Sequence, residues 1–313
     1  MKENKIKILH KVRPKLADLE RQRKEMLTIQ KKKEANIFLL AIVSLALVLV
    51  CGGLLGGIQV VLFGAVVVIV GAYHYLEQLK IPLRQNLQQS IGDIITEAIG
   101  SQWTYNADQH IPAYHFEKLG LTSKFNSIHG ENLIHGLHGD TSFSFSYLDL
   151  SNDSKDNSNT VFKGILVVAD FHKALKGKTL IFPDKAQRTL GSWLGKKVQE
   201  FGWKGLGLVY LEDPVFEEAF AVYASDQVEA RYILTPSMMN NLLTLHKKYG
   251  ENLSFFFTDG KVCIAIKNIE SFEQDLSFPI FPDGTFHHFF QPIEIVTEII
   301  DILNLNTRIW AKS

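Results

Sequence analysis

The sequence predicts an α+β chain: an N-terminal two-helix transmembrane hairpin, then a mostly antiparallel-sheet domain with single inserted helices. Three observations predict it. No charged residue occurs between Ala35 and Tyr73. From Glu131 onward, runs with a period of two follow one another, bounded by Gly, Asp and Pro turns. Helical spacing returns between those runs one segment at a time, which argues for antiparallel pairing rather than repeated βαβ units.

The uncharged run must break. As a single helix its 39 residues would reach about 58 Å, nearly twice a hydrocarbon core of about 30 Å. Gly52, Gly53, Gly56 and Gly57 mark the turn at 52–57, leaving spans 37–54 and 58–75 within a hairpin at 35–75. Gly57, Gly64 and Gly71 recur every seven residues and offer a small-residue stripe to the first span. The run does not read as a cleavable signal, because a long polar segment precedes it and a second span follows.

The flanks set the orientation. Residues 1–34 hold twelve Lys or Arg against five Asp or Glu, ending in Lys31-Lys32-Lys33, and Lys80 and Arg84 follow the second span. Basic flanks stay cytoplasmic and two spans return the chain to one side, so both termini are expected on the cytoplasmic side of the membrane. The arm carries +7 within a chain of zero formal charge, so the remainder carries −7. That balance argues against nucleic acid as a partner and makes the lipid bilayer, with anionic lipid at the arm, the expected one. Cys51 lies in the apolar run and Cys263 has no soluble partner, as in a reducing compartment.

In the arm, 1–34, Leu9, Val12, Leu16, Leu19 and Met26 keep helical spacing, with Arg23 interrupting the stripe. The helix is expected to start at Pro14. Over 76–100, Pro82 suits a second helix start, and Leu83, Leu87, Ile91, Ile94, Ile95 and Ala98 continue it to Gly100 as a juxtamembrane stalk. The remaining 101–313 form the cytosolic domain. Leu133–Leu137 and Thr141–Tyr147 read as strands around a Gly139-Asp140 turn, and 151–159 as a disordered loop. Strands are expected at 161–171, 179–182, 205–211 and 219–223, and a helix at 185–199. Asp213-Pro214 and Thr235-Pro236 read as helix caps. The second starts a helix with Met239, Leu242, Leu243 and His246 on one face, stopped by Gly250. A hairpin turns at Asp259-Gly260, and a helix from Pro292 to Leu303 closes the domain.

Several blocks carry a resemblance. They are Gly130-Glu131-Asn132 with Gly136 and Gly139; Phe162-Lys163-Gly164 with Ala169-Asp170-Phe171; and Leu211-Glu212-Asp213-Pro214 with Phe216. The longest is Asp226-Gln227-Val228-Glu229-Ala230-Arg231-Tyr232-Ile233-Leu234-Thr235-Pro236, and Leu305-Asn306-Thr307-Arg308-Ile309-Trp310 ends the set. Over residues 100–313 the chain resembles a bacterial membrane family catalogued only as domain of unknown function 3137, in which a two-span hairpin typically precedes the domain. The family pattern often has Glu-Asp where this chain has Glu131-Asn132, which weakens an essential carboxylate pair there. The resemblance implies the architecture and brings no established activity.

Two constellations could carry chemistry. His129, His135 and His138 lie near Glu131 and Asp140, and zinc accepts imidazole and carboxylate. On a strand, however, 135 and 138 face opposite sides, so ordinary strand and turn histidines are the plainer account. The second is the polar block 212–231, whose catalytic candidates are Asp213, Asp226, Glu229 and Arg231. Close carboxylates serve acid–base work, but Asp213 also suits a helix cap and Glu229 an ion pair with Arg231 or another base. No nucleophile elbow, phosphate loop or dinucleotide fingerprint occurs, so no cofactor is expected. The leading expectation is therefore a membrane-tethered protein-binding or scaffold module with an unidentified protein partner. The alternative is a membrane-anchored, hydrolase-like enzyme using the block 212–231.

Overall fold

A computed structural model describes residues 2–55, 57–112, 115, 125–153, 158–184, 205–275 and 277–305. The chain divides into two compact units, residues 1–98 with 273–286, and residues 99–272 with 287–313.

The first unit is built on two long helices, α1 (Lys2–Leu55) and α2 (Gly57–Ile99). Both are long and apolar enough to cross a membrane. Phe38, Leu47, Ile58, Phe63 and Val70 are exposed along them, as side chains facing lipid would be. Val48 Cγ1 lies 2.7 Å from where a Cβ on Gly64 would stand, so this glycine lets the two helices approach, whereas nothing lies within 4 Å of Gly71.

Nearer the N-terminus, Ile8, Val12, Leu16 and Leu19 on α1 and Leu87, Ile91 and Ile95 on α2 are buried. Their spacing of three and four is that of a helix–helix seam. Arg23 does not interrupt this seam; it continues it. Its side chain is buried and makes paired bonds to Glu20, Nε to Oε2 at 2.7 Å and Nη2 to Oε1 at 2.8 Å. Glu20 Oε2 also accepts the N–H of Ile280 at 2.7 Å, which fastens the segment 273–286 to α1. Arg13–Asp283 and Arg84–Glu273 ion pairs fasten it further. The Arg23 guanidinium holds the Glu20 carboxyl below its ordinary value, and Glu20 raises that of Arg23.

The helix starts expected at Pro14 and Pro82 are not found: both prolines lie inside their helices. Each removes one backbone donor, a cost offset by the buried seam on both sides of it.

The second unit is a nine-stranded antiparallel sheet among the described residues, in the order β1-β2-β3-β4-β9-β8-β5-β7-β6. The strands are β1 (Thr104–Asn106), β2 (Ser127–His138), β3 (Thr141–Asp153), β4 (Ser158–Asp170), β5 (Thr179–Pro183), β6 (Gly207–Leu208), β7 (Phe220–Ala224), β8 (Leu253–Thr258) and β9 (Lys261–Lys267). The β8–β9 hairpin turns where expected, with positive φ at Asp259 and Gly260 as a tight two-residue turn demands. The expected loop at 151–159 is corrected at its two ends: Ser151, Asn152 and Asp153 pair with Thr160, Asn159 and Ser158, because the two long strands run into the polar stretch, whose residues 154–157 lie outside the described residues. The expected strand at 205–211 shortens to two residues, and the expected helix at 185–199 lies outside the described residues.

Four further helices are α3 (Pro214–Ala219), α4 (Gln227–Ile233), α5 (Pro236–Tyr249) and α6 (Pro282–Ile302). Asp213, Asp226 and Thr235 cap the first three with their side chains, and Gly250 ends α5. The buried face of α5 is Met238, Leu242 and Leu245; it shares Leu242 with the expected face of Met239, Leu242, Leu243 and His246 and is rotated from it by about one residue, about 100°. α6 starts ten residues before the expected Pro292, which it carries internally.

Both sheet faces are buried. On one, Phe145, Tyr147 and Ile165 meet Phe289 and Pro292 of α6 around a small cavity, and Phe220 packs on His246 of α5. On the other, Leu148, Leu166, Val168, Phe256 and Cys263 form a single cluster with Ile111 and Leu133. Central strands buried on both sides lose simple alternation, which explains the continuous apolar run of β4.

Candidate functional site

The block 212–231 is built from two short helices around β7, and its bonded carboxylates meet backbone N–H groups. Asp213 Oδ1 accepts the N–H groups of Val215 at 2.9 Å and Phe216 at 3.1 Å. Asp226 Oδ1 does the same for Val228 at 2.8 Å and Glu229 at 3.1 Å. Glu217 Oε1 accepts from the N–H of Leu211. Glu229 does not pair with Arg231. Its two oxygens accept the N–H groups of Lys176 and Gly177, each at 2.9 Å.

Ser225 completes that grip, taking the N–H of Lys178 on its Oγ at 2.9 Å. A Cβ on Gly177 would lie 2.7 Å from Ser225 Oγ and 3.0 Å from Glu229 Oε1, so the close approach requires glycine there. Arg231 donates to carbonyls, Nη1 to Gln227 O at 3.1 Å and Nη2 to Tyr210 O at 3.2 Å. Lys173 lies over the Tyr232 ring, 4.4 Å from its centroid, and burial lowers its pKa. Asp213 and Asp226 thus cap α3 and α4, while Glu229 and Arg231 fasten Lys176, Gly177 and Tyr210 to α4.

Around this lattice of bonds, large apolar and aromatic side chains stand exposed among the exposed Glu212, Glu218 and Gln227. Val228 is 77% exposed and Tyr210 70%, with Val215 and Tyr232 also in solvent. Val228 and Tyr232 stand one helical turn apart on α4, and Arg231 links α4 to Tyr210.

The three histidines go to three different neighbours. His129 lies opposite Asp149 in the sheet register. His135 Nδ1 lies 2.7 Å from Ser144 Oγ, and His138 Nε2 lies 2.7 Å from Asp301 Oδ1. Among the described residues no group of three His, Cys, Asp or Glu side chains is placed to hold a metal ion.

Sequence reasoning missed two features. One is a cavity of about 210 Å³ whose lining includes His135, Ser142, Ser144, Asp170, Lys261 and Ile111. The run Thr141-Ser-Phe-Ser-Phe-Ser-Tyr147 puts serines on one face and aromatics on the other, and the serine face reads as solvent. Ser146, which takes the N–H of Ile111 at 3.0 Å, is buried, while Ser144 is half-buried and Ser142 exposed, so the face is covered at one end only. The other is Asn132, at φ 60° and 7% exposed. Its amide donates to Ser271 Oγ at 2.8 Å and Phe272 O at 2.9 Å, and its Oδ1 accepts from Tyr105 Oη. Ser271 in turn donates to Glu131. The Glu131-Asn132 position is therefore a structural corner at the β2 bulge, where an amide supplies donors that a carboxylate lacks.

Among curated proteins none matches the chain. Among solved structures, the mycobacterial trehalose monomycolate transport factor A, TtfA, aligns with a TM-score of 0.33 and 9% identity, over 64% of this chain and 88% of that one. A likeness of that size carries no argument here. Residues 160–305, a narrower stretch than the resembling blocks span, match the family described as "Protein of unknown function (DUF3137)". The matched stretch runs from β4 through α6, and the family it resembles has no known activity.

Proposed function

We propose that this protein is a membrane-tethered binding or scaffold module, anchored in the bacterial inner membrane by α1 and α2, with both termini and the sheet domain in the cytoplasm. The observation that carries it is the exposed surface of Tyr210, Val215, Val228 and Tyr232 beside Arg231. Tyr and Arg at a rigid, partly apolar surface are the composition of a protein-binding centre. The polar groups around it hold loops in place, which preorganises that surface. The orientation rests on the basic flanks of the spans.

The test is site-specific photo-crosslinking from position 228 in cells, with an unrelated two-span protein as the control. A discrete partner set that disappears in Tyr232→Ala, with membrane integration unchanged, is expected. A set indistinguishable from the control's overturns the reading.

A second reading, a membrane-anchored hydrolase-like enzyme, is favoured by the cavity at His135 and Ser144 rather than by the block 212–231. A serine hydroxyl within bonding distance of a histidine is the arrangement of a nucleophile and its base. Labelling of the purified protein by a fluorophosphonate, lost in Ser144→Ala and in His135→Ala, is the expected result under it. An unlabelled wild-type protein rejects it.

A further inference from the structure

We propose that the cavity over β2, β3, β4 and β9 binds a small zwitterion, an α-amino acid with an aliphatic side chain, whose ammonium group meets Asp170 and whose carboxylate meets Lys261. Binding of this kind uses the cavity of the second reading above but none of its nucleophilic chemistry.

Strand register sets the polar groups in two neighbouring rows. In one, His135 lies opposite Ser144, which lies opposite Val168. Two residues along, Asp170 lies opposite Lys261, and the pairing of Phe143 with Ala169 brings Ser142 beside Asp170. Side chains two apart on a strand share a face, so both rows line the same cavity. Ile111, Leu133 and Val168, all buried, supply its apolar side.

The Asp170–Lys261 pair points to the ligand. Lys261 Nζ stands 4.0 Å from Asp170 Oδ1, beyond hydrogen-bond distance, with the two side chains 49% and 39% exposed. Among the described residues neither side chain makes any other polar contact. A carboxylate offers about four acceptor sites and an ammonium group three donors, so most of the bonding capacity of both is unfilled. A ligand with one charge would meet one partner and face the like charge of the other. A zwitterion meets both. An α-amino acid carries its two charged groups on one carbon atom, so they can lie alongside a pair spaced 4.0 Å apart. Size agrees. The cavity of about 210 Å³ has room for about seven waters at about 30 Å³ each, hence for a ligand of about seven non-hydrogen atoms. Alanine and valine bracket that size, and the valine side chain would lie against Ile111, Leu133 and Val168.

The test is equilibrium dialysis of the full-length protein in neutral detergent against radiolabelled L-valine, with isovalerate and isobutylamine as competitors. Each competitor keeps one of valine's two charges. Valine is expected to bind saturably, and each competitor at least about tenfold more weakly, the loss of one hydrogen bond between charged groups. Asp170→Asn and Lys261→Gln should each weaken valine about tenfold as well. Lys267→Gln, at an exposed lysine of β9 outside the cavity lining, should change nothing. No saturable valine binding by wild type, a single-charge competitor as tight as valine, or unchanged affinity in either charge variant overturns the site. Ser144→Ala should retain valine while ending fluorophosphonate labelling, so failure of the site and failure of the hydrolase reading are distinct.

Discussion

Asn132→Asp is a nearly isosteric change with a large expected effect. Asn132 sits at positive φ, which Asn and Asp both tolerate, so the backbone conformation is preserved. The amide's two donors are lost, leaving Phe272 O and Ser271 Oγ facing a carboxylate in a site only 7% exposed. A buried acceptor stripped of its donor costs about 1–3 kcal/mol, and the unpaired charge adds to it. We expect about 3 kcal/mol of destabilisation at pH 7.

The sign with pH follows from linkage. Burial beside acceptors raises the new carboxyl's folded pKa above its unfolded value of about 3.9. The folded state then binds more protons than the unfolded one, so the variant loses stability relative to wild type as pH rises from about 4, levelling off above the folded pKa. At pH 4 the protonated acid donates one bond again, and about half the loss should return. Asn132→Gly keeps the backbone freedom without a charge and should show a pH-independent loss. Urea unfolding in neutral detergent measures all three, with Trp103, edge-on to Phe143 at 5.2 Å, as the reporter in a protein whose other tryptophans are phenylalanine. An Asp variant within about 0.5 kcal/mol of wild type at pH 7, or equally destabilised at pH 4 and 7.5, would refute the assignment of Asn132 as a donor-supplying corner.

Three further outcomes follow from the geometry. Glu229→Ala should release the N–H groups of Lys176 and Gly177, seen as faster amide exchange there and a loss of about 2 kcal/mol; unchanged protection at both amides would contradict the grip. Gly64→Leu should destabilise the hairpin by about 1–3 kcal/mol through its clash with Val48, while Gly71→Leu is tolerated; equal melting temperatures in detergent would show that the two positions are equivalent. The Glu20 carboxyl is held below its ordinary value chiefly by its bonds to Arg23, so its stabilisation is complete above the unfolded pKa of about 4.3 and lost as pH falls through the lower folded value. Protection of the Ile280 amide should therefore drop in acid, corrected for intrinsic exchange, and Glu20→Gln should remove that pH dependence.

The five X-Pro pairs read as helix starts show where sequence reasoning reaches its limit. Pro214 and Pro236 do begin helices, and each follows a side chain able to cap, Asp213 or Thr235. Pro14, Pro82 and Pro292 follow Arg13, Ile81 and Gln291, which offer no such cap, and all three lie inside helices. Among these five, the start falls at the proline where a capping side chain precedes it. At the other three the helix runs on past the proline, although α6 itself opens at Pro282 after Phe281. Arg23 teaches the same lesson in reverse. A charge on a helical stripe reads as an interruption, and only the proximity of Glu20 and of Ile280 on a distant segment makes it part of the seam.

By itself the sequence determined the features that depend on neighbours along the chain. These are the two apolar helices, the tight hairpin at Asp259-Gly260, the caps at Asp213 and Thr235, and the α+β class; the turn expected at 52–57 is helix as far as Leu55 and again from Gly57. Periodicity, capping and turn chemistry are local, and local energies suffice to specify them. Tertiary structure alone decided what the polar residues do. Glu229 could have faced Arg231, water or a substrate, and its choice of the Lys176 and Gly177 amides depends on a loop some fifty residues away. The bonds of Asn132 and the cavity at His135 and Ser144 are likewise set by segments distant in sequence. Satisfying a buried or bonded polar group is a property of the assembled neighbourhood, and that neighbourhood does not exist until the chain has folded.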